Sequence, residues 1–407
     1  MITLRQLIFY SSIFGIFSGA FFFLVGTVHI LIFYFVMTLN LVLMTLLGRL
    51  WLPKGLIALV VFISISGIVG VNRGTDTVGL FAKELIGITF SAVYFCAFIR
   101  LMEFDVDRCF RAYARLAFYV ASFGVVFLPF QIVYLQRVRL QSIFSEPAAF
   151  AEVCLPAFFY YADRWQRRLG GGKEVLVFLL AFALARSSVG FLGILFGLFL
   201  FGKRYRYRNL VFPVLILVAG LGIYSASSDF RLRLNDSLKS AGQLDVKGVN
   251  ISTFVLVSNV FVTEQVLLEH PLMGGGLGSH FVSHERFLGD LANVELFDEE
   301  GITDLNAYDA NSLFLRVLSE MGAVGIILVF WFIWRYRVSG TDDRAVICQA
   351  LWIYFSLKLL RGGVYFNPEQ FFFIVLYAVN GRATAPGKSF AALPLISSFQ
   401  EIRRRPA

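Results

Sequence analysis

The strongest constraint on this chain is a recurrence of apolar stretches, separated by short clusters of Lys and Arg. Most stretches run to about 17–25 residues, the length a helix needs to cross hydrocarbon. Only 15% of the residues are charged, against about 25% in ordinary soluble domains. Hydrophobic residues make up 58%, and 46 of the 407 residues are Phe. A soluble fold is excluded on those terms. The formal charge of +9 does not indicate a nucleic-acid partner, because the basic residues lie between apolar runs in the positive-inside pattern. Cys96, Cys109, Cys154 and Cys348 are scattered through the runs or their edges, so no disulfide framework or thiolate metal site is expected. The first run lacks a small-residue cleavage site and reads as a retained anchor.

Hydropathy and the basic clusters predict an all-α polytopic transmembrane bundle of about twelve segments. They fall near 7–27, 29–48, 55–71, 84–100, 113–135, 147–162, 174–185, 189–201, 209–225, 312–334, 345–360 and 370–381. The chain then divides into an N-terminal bundle (1–225), a large outer loop (226–311), C-terminal membrane helices (312–381) and a basic tail (382–407). Cytoplasmic clusters are Arg49/Lys54, Arg100–Arg115, Arg164–Lys173, Lys203–Arg208, Arg335–Arg344 and Arg403–Arg405, which puts both termini inside. The outer loop holds 13 Asp/Glu against 5 Lys/Arg, including Asp298-Glu299-Glu300, and reads first as a solvated acidic face. Its stretch Val249–Leu268 is expected to form one or two amphipathic helices.

Two places break the geometry of ordinary spans. Only 29 residues lie between Lys173 and Lys203, and two full spans need about 40. A helix over 174–185 rises about 18 Å at 1.5 Å per residue, so Arg186-Ser187-Ser188 should form the tip of a short, sunken helical hairpin. Phe144-Ser145-Glu146-Pro147 opens another short segment, with proline in its favoured first-turn position. Irregular backbone at such depth is tolerated where it lines a wet cavity or is buried in protein. Both breaks indicate one cavity open to the outside.

Arg137, Arg139, Arg186, Arg316, Lys358 and Arg361 fall near the outer ends of spans. Ionisable groups there are costly and mark a binding site or pathway, and guanidinium groups suit phosphate oxygens. The alternative is that each snorkels to headgroups or pairs structurally. Glu146 is the leading acid/base candidate. Glu320 lies four residues after Arg316, a spacing that equally allows an intrahelical ion pair. His280 and His284 follow the run Gly274-Gly275-Gly276-Leu277-Gly278, which has no Walker or Rossmann context. A tight turn over substrate, with histidines touching it, is one reading; loop structure is the other. No third metal ligand is evident, so no metal is expected.

These motifs, taken in order, resemble the O-antigen polymerase/ligase family (Wzy-type polymerases and their ligase relatives). The elements are Phe144-Ser145-Glu146-Pro147, Ala185-Arg186-Ser187-Ser188-Val189-Gly190, His270-Pro271 running through to Gly278, and Asn311-Ser312-Leu313-Phe314-Leu315 with Leu318, Glu320, Gly322 and Gly325. The resemblance spans roughly residues 130–380. It implies a GT-C-like glycosyltransferase, without metal or other cofactor, in the bacterial inner membrane. Its substrates would be undecaprenyl-diphosphate-linked oligosaccharides at the periplasmic face, making O-antigen, capsule or exopolysaccharide. Membrane lipid, a chain-length regulator and a flippase are the further partners implied. Catalytic candidates are then Glu146, Arg186, Asn311 and Glu320. Arg137, Arg139, Arg186, Arg316, Lys358 and Arg361 would bind diphosphate, and Gly276, Gly278, His280, His284 and Tyr308 the glycan, with Phe281 and Phe287 as further stacking candidates. The ligase pattern has His where this chain has Asn311, which favours a polymerase. A ligase acting on lipid A-core is the first alternative and a transporter the second, since broken helices also occur in transporters.

Overall fold

The computed structural model describes residues 3–25, 28–202, 251–291, 294–295 and 302–382. The predicted segment 209–225, the Lys203–Arg208 cluster, the loop before residue 251, Asp298-Glu299-Glu300 and the tail after Arg382 lie outside the described residues.

Thirteen helices and one two-stranded hairpin make up the described residues. In chain order they are α1 (Leu4–Gly15), β1 (Phe22–Val25), β2 (Val28–Leu31), α2 (Ile32–Leu46), α3 (Lys54–Arg73), α4 (Val78–Leu101), α5 (Val106–Leu135), α6 (Pro147–Gln166), α7 (Gly172–Ala185), α8 (Ser188–Gly202), α9 (Ile251–Glu269), α10 (His280–Phe287), α11 (Leu313–Arg335), α12 (Asp343–Leu360) and α13 (Pro368–Arg382). Five of them, α3, α4, α5, α9 and α11, are long and apolar enough to cross a membrane, which suggests a multi-pass membrane protein.

Local chemistry sets the boundaries. Thr77, Asp105, Ser312 and Asp342 each accept a hydrogen bond from the backbone amide three residues on, capping α4, α5, α11 and α12. Each such cap is worth about 1 kcal/mol. Pro147 opens α6, as the sequence predicts.

Contacts between helix ends give the bundle a polarity. At one end Arg167 bridges Asp163 of α6 and Asp343 of α12, Arg100 donates to the Leu50 carbonyl, and Arg5 pairs with Glu103. At the other, the segment 270–279 seats among the ends of α3, α4 and α11. The first is the basic end of the bundle and the second the loop end. α6 sits centrally, packed on α5, α7, α8 and α12, and buries residues around its whole circumference, as an apolar helix without a polar face must. Phe95, Phe98, Tyr113, Tyr354, Phe372 and Phe373 interlock, edge-on or tilted, in the core where α4, α5, α12 and α13 meet.

The short hairpin expected over 174–201 is present as α7 and α8, with Arg186-Ser187 between them. The N-terminus differs from expectation. A continuous span over 7–27 does not form: α1 stops at Gly15, and Phe22–Val25 pairs antiparallel with Val28–Leu31. The Phe33 ring occupies the place of a side chain at Gly15, and the run Phe21-Phe22-Phe23 suits a strand better than a helix. The described part of the stretch, from Ile251, forms a single helix, α9, whose packing against α11 buries Ser258, Asn259 and Thr263. All three hydrogen-bond carbonyls of their own helix, which lets polar residues face inward.

Candidate functional site

The site is organised by a break in α11. At Gly322 the backbone leaves the helix (φ 61, ψ −158), a conformation open essentially to glycine. Such a break orphans the carbonyls of Ser319 and Glu320 and the amides of Ala323 and Val324. The 271–276 segment satisfies all four. Gly275 and Gly276 donate to the Ser319 and Glu320 carbonyls, both at 2.8 Å, and the Pro271 and Leu272 carbonyls accept from Ala323 and Val324 at 3.0 and 3.1 Å. A Cβ on Gly322 would lie 2.5 Å from the Leu272 backbone, and one on Gly274, itself at φ 63, 2.4 Å from the Ser319 carbonyl oxygen. Helix α3 completes the clasp: Gly70 abuts Gly275 and Gly276, and Thr75 donates to the Gly275 carbonyl at 2.5 Å. The glycine run is thus a piece of backbone fitted into a broken helix. Gly276 and Gly278 are buried within it, not presented to a ligand.

Beside the break lies a buried ionic cluster. Arg316 gives Nε to Glu320 at 2.9 Å, Nη2 to Glu84 of α4 at 3.0 Å and Nη1 to the Gly363 carbonyl at 3.1 Å. Its guanidinium also stacks over Tyr365, 4.3 Å from the ring centre. Asp76, in the α3–α4 turn, is 7% exposed. Burial raises its carboxyl to about 7, against the pull of the Thr77 amide and helped by Glu320 and Glu84. His280 is fully buried: Nε2–H donates to Asn259 Oδ1, and Nδ1 meets Ser319 Oγ, both at 2.8 Å. The Asn259 amide nitrogen is held on the Val255 carbonyl, which fixes its oxygen toward the histidine. Burial keeps His280 far below its ordinary pKa and lowers that of His284, whose ring nitrogens are buried without a hydrogen-bond partner. Both histidines are therefore enclosed and neutral.

A second cluster surrounds Lys358. Its ammonium lies 3.8 Å from Glu152 and 3.7 Å from Glu369, and Tyr354 donates to Glu369 at 3.2 Å. Tyr34, within electrostatic reach of both Glu84 and Glu369, sits between the two clusters. The 361–366 turn joins them on the loop-end side. Gly362 donates to the Asn311 carbonyl at 2.9 Å, and Gly363 packs against the backbone of Asp309. Asn311 itself is half-buried and left-handed (φ 57), its amide held by the Asp309 carboxylate. Glu146, at the start of α6, is 54% exposed in its side chain and 4.0 Å from the half-exposed Arg361.

The remaining cations sort by what they touch. Arg139 gives Nε to the Ala185 carbonyl at 3.2 Å and Nη2 to the Arg186 carbonyl at 2.8 Å, closing the C-terminal end of α7. Arg186 is exposed at the hairpin tip in a left-handed conformation (φ 48). Arg137 is exposed and donates to Gln141. Tyr308 is exposed and stacks on Phe281 at 4.0 Å and 7°, with Lys83 5.4 Å from its ring centre.

Sequence reasoning missed Asp76, Glu84, Glu152 and Glu369. Each is a lone carboxylate in or beside an apolar run, which was the available signal. Compared with protein-family models and with curated protein sequences, the chain matches none.

Proposed function

We propose that this chain is an inner-membrane glycan polymerase of the O-antigen polymerase/ligase kind. It would move a growing polysaccharide from undecaprenyl diphosphate onto a lipid-linked repeat unit at the periplasmic face, with the loop end outside. The observation that carries the reading is that exposed Arg186 and the Glu146–Arg361 pair lie at the same end of packed helices. Helices α6, α8 and α12 pack mutually, and Pro147, Ser188 and Leu360 mark their loop-end termini. The N-termini of α6 and α8, with Arg186 and Arg361 at the same end of the bundle, favour a diphosphate. They would offset the charge developing on the leaving group as the glycosidic bond breaks. Glu146, exposed beside Arg361, would take the proton of the attacking sugar hydroxyl. The stacked Phe281–Tyr308 pair supplies an aromatic face for a sugar ring.

The test is a gel of lipid-linked glycan from cells lacking the gene and complemented with wild type, Arg186→Ala or Asn311→His. A ladder with wild type, collapsing to single repeats in the deletion and with Arg186→Ala, is the expected result. Long chains that persist on the carrier without reaching lipid A-core would indicate the ligase instead. Unchanged glycan in every strain overturns the transferase reading and leaves a transporter, for which the broken α11 is the feature in favour.

A further inference from the structure

Beneath the seat of the 270–278 segment, buried acids outnumber buried bases. Arg316 is fully engaged by Glu84, Glu320, the Gly363 carbonyl and Tyr365. Asp76 lies within electrostatic reach of the same two glutamates, and its carboxylate accepts from the Thr77 amide, with no cation beside it among the described residues. Asp76 Oδ2, Glu84 Oε2 and Glu320 Oε2 are each buried without a hydrogen-bond partner. The Tyr365 hydroxyl and the Gly278 amide lie near Glu320, but one O–H and one N–H cannot serve three carboxylates.

On α3, α4, α2 and α10 the nearby titratable side chains bring no further charge to this joint. On α3, Arg73 is exposed; on α4, Lys83 lies over Tyr308; on α2, the Tyr34 hydroxyl is given to the Phe366 carbonyl. On α10, burial holds His280 neutral, with Asn259 and Ser319 on its two nitrogens. Asp76 thus faces two carboxylates that already share the one guanidinium. Uncompensated buried charge costs several kcal/mol per ion, and a proton on an unpartnered oxygen removes it.

We propose that Asp76, buried against the Arg316–Glu84–Glu320 cluster, is a proton-binding site that fastens the 270–278 segment to the bundle. Asp76 is the point of access, because it lies in the α3–α4 turn outside the helices. A Cβ on Gly278 would stand 3.2 Å from Asp76 Oδ2, and the neighbouring Thr75 donates to the Gly275 carbonyl. On the other side of the segment, the Glu320 carbonyl accepts from Gly276. Loss of the proton sets like charges against each other across this joint and loosens it. The inference is independent of the transferase reading.

The test uses the purified full chain in detergent micelles, with thermal unfolding and hydrogen exchange of the 271–279 peptide followed from about pH 5 to about pH 9. In the wild type, Tm falls by about 2 °C or more as pH rises from about 5 to about 7 and levels off above that. Exchange of the peptide, corrected for its intrinsic rate, rises over the same interval. Asp76→Asn flattens both profiles, and Asp76→Glu retains them. Glu84→Gln moves the midpoint to lower pH, which keeps the test decisive where Asp76→Asn does not fold. A flat wild-type profile, an unchanged slope in Asp76→Asn or an unmoved midpoint in Glu84→Gln overturns the proton site. A Tm change without a change in peptide exchange overturns the fastening role.

Discussion

Arg316 shows how a single side chain can satisfy one expectation and defeat another. Its spacing to Glu320 allowed an ion pair, and the pair forms. The diphosphate role assigned to it from its place near a span end competes with that pairing, because a guanidinium 3% exposed and shared by two carboxylates has no free edge for phosphate. Glu84 was not legible as its partner: the contact joins residues 232 positions apart, and only the fold brings them together. Arg316→Leu should strand Glu84 and Glu320 and cost about 3–5 kcal/mol. The triple variant Arg316→Leu, Glu84→Gln, Glu320→Gln should recover most of that loss. Thermal unfolding in micelles checks both, and recovery absent from the triple variant would count against an electrostatic origin. Lys358, between Glu152 and Glu369, follows the same logic with looser geometry.

Among the elements, legibility followed the strength of the local signal. The α7–α8 hairpin was readable because 29 residues cannot make two full spans, and its tip falls at Arg186 as expected. That Arg139 caps the end of α7 was not readable, since sequence carries no record of which carbonyls a distant arginine reaches. The N-terminal run misled because hydropathy alone does not distinguish one long helix from a short helix and a strand pair. The break in α11 is the element with most at stake. Gly322 joins two helical halves whose orphaned groups are all satisfied by the 271–276 segment. Gly322→Ala would force a Cβ into the Leu272 backbone at 2.5 Å and impose a conformation costing about 1–3 kcal/mol on strain alone. The expected outcome is a lower Tm together with faster exchange at the 271–279 peptide. Faster exchange there without a change at the α11 C-terminal half would place the effect in the clasp; an unchanged peptide would contradict it.

Across the whole molecule, the cations at the loop end divide into two populations. Arg316 and Lys358 are buried and matched by carboxylates, and Arg139 is committed to a helix end. Arg186, Arg137 and Arg361 keep exposed or half-exposed side chains. A bundle needs the first population to hold its polar interior together, whereas the second makes only peripheral contacts, Arg361 with Glu146 and Arg137 with Gln141, among the described residues. Sequence could assign all six to the same end but could not divide them, because burial is a property of packing. The division predicts two separable phenotypes. Arg186→Ala and Arg361→Ala should each weaken binding of undecaprenyl diphosphate by about tenfold or more, equivalent to about 1.4 kcal/mol, while leaving Tm nearly unchanged. Arg316→Lys should do the reverse, because a point ammonium cannot reproduce the fork that serves two carboxylates and a carbonyl at once. Binding to immobilised protein in micelles, read alongside Tm for each variant, separates the two. If Arg316→Lys loses affinity at unchanged Tm, the buried cluster is itself the phosphate site, and the exposed arginines are the ones whose role would have to be sought in contacts with headgroups.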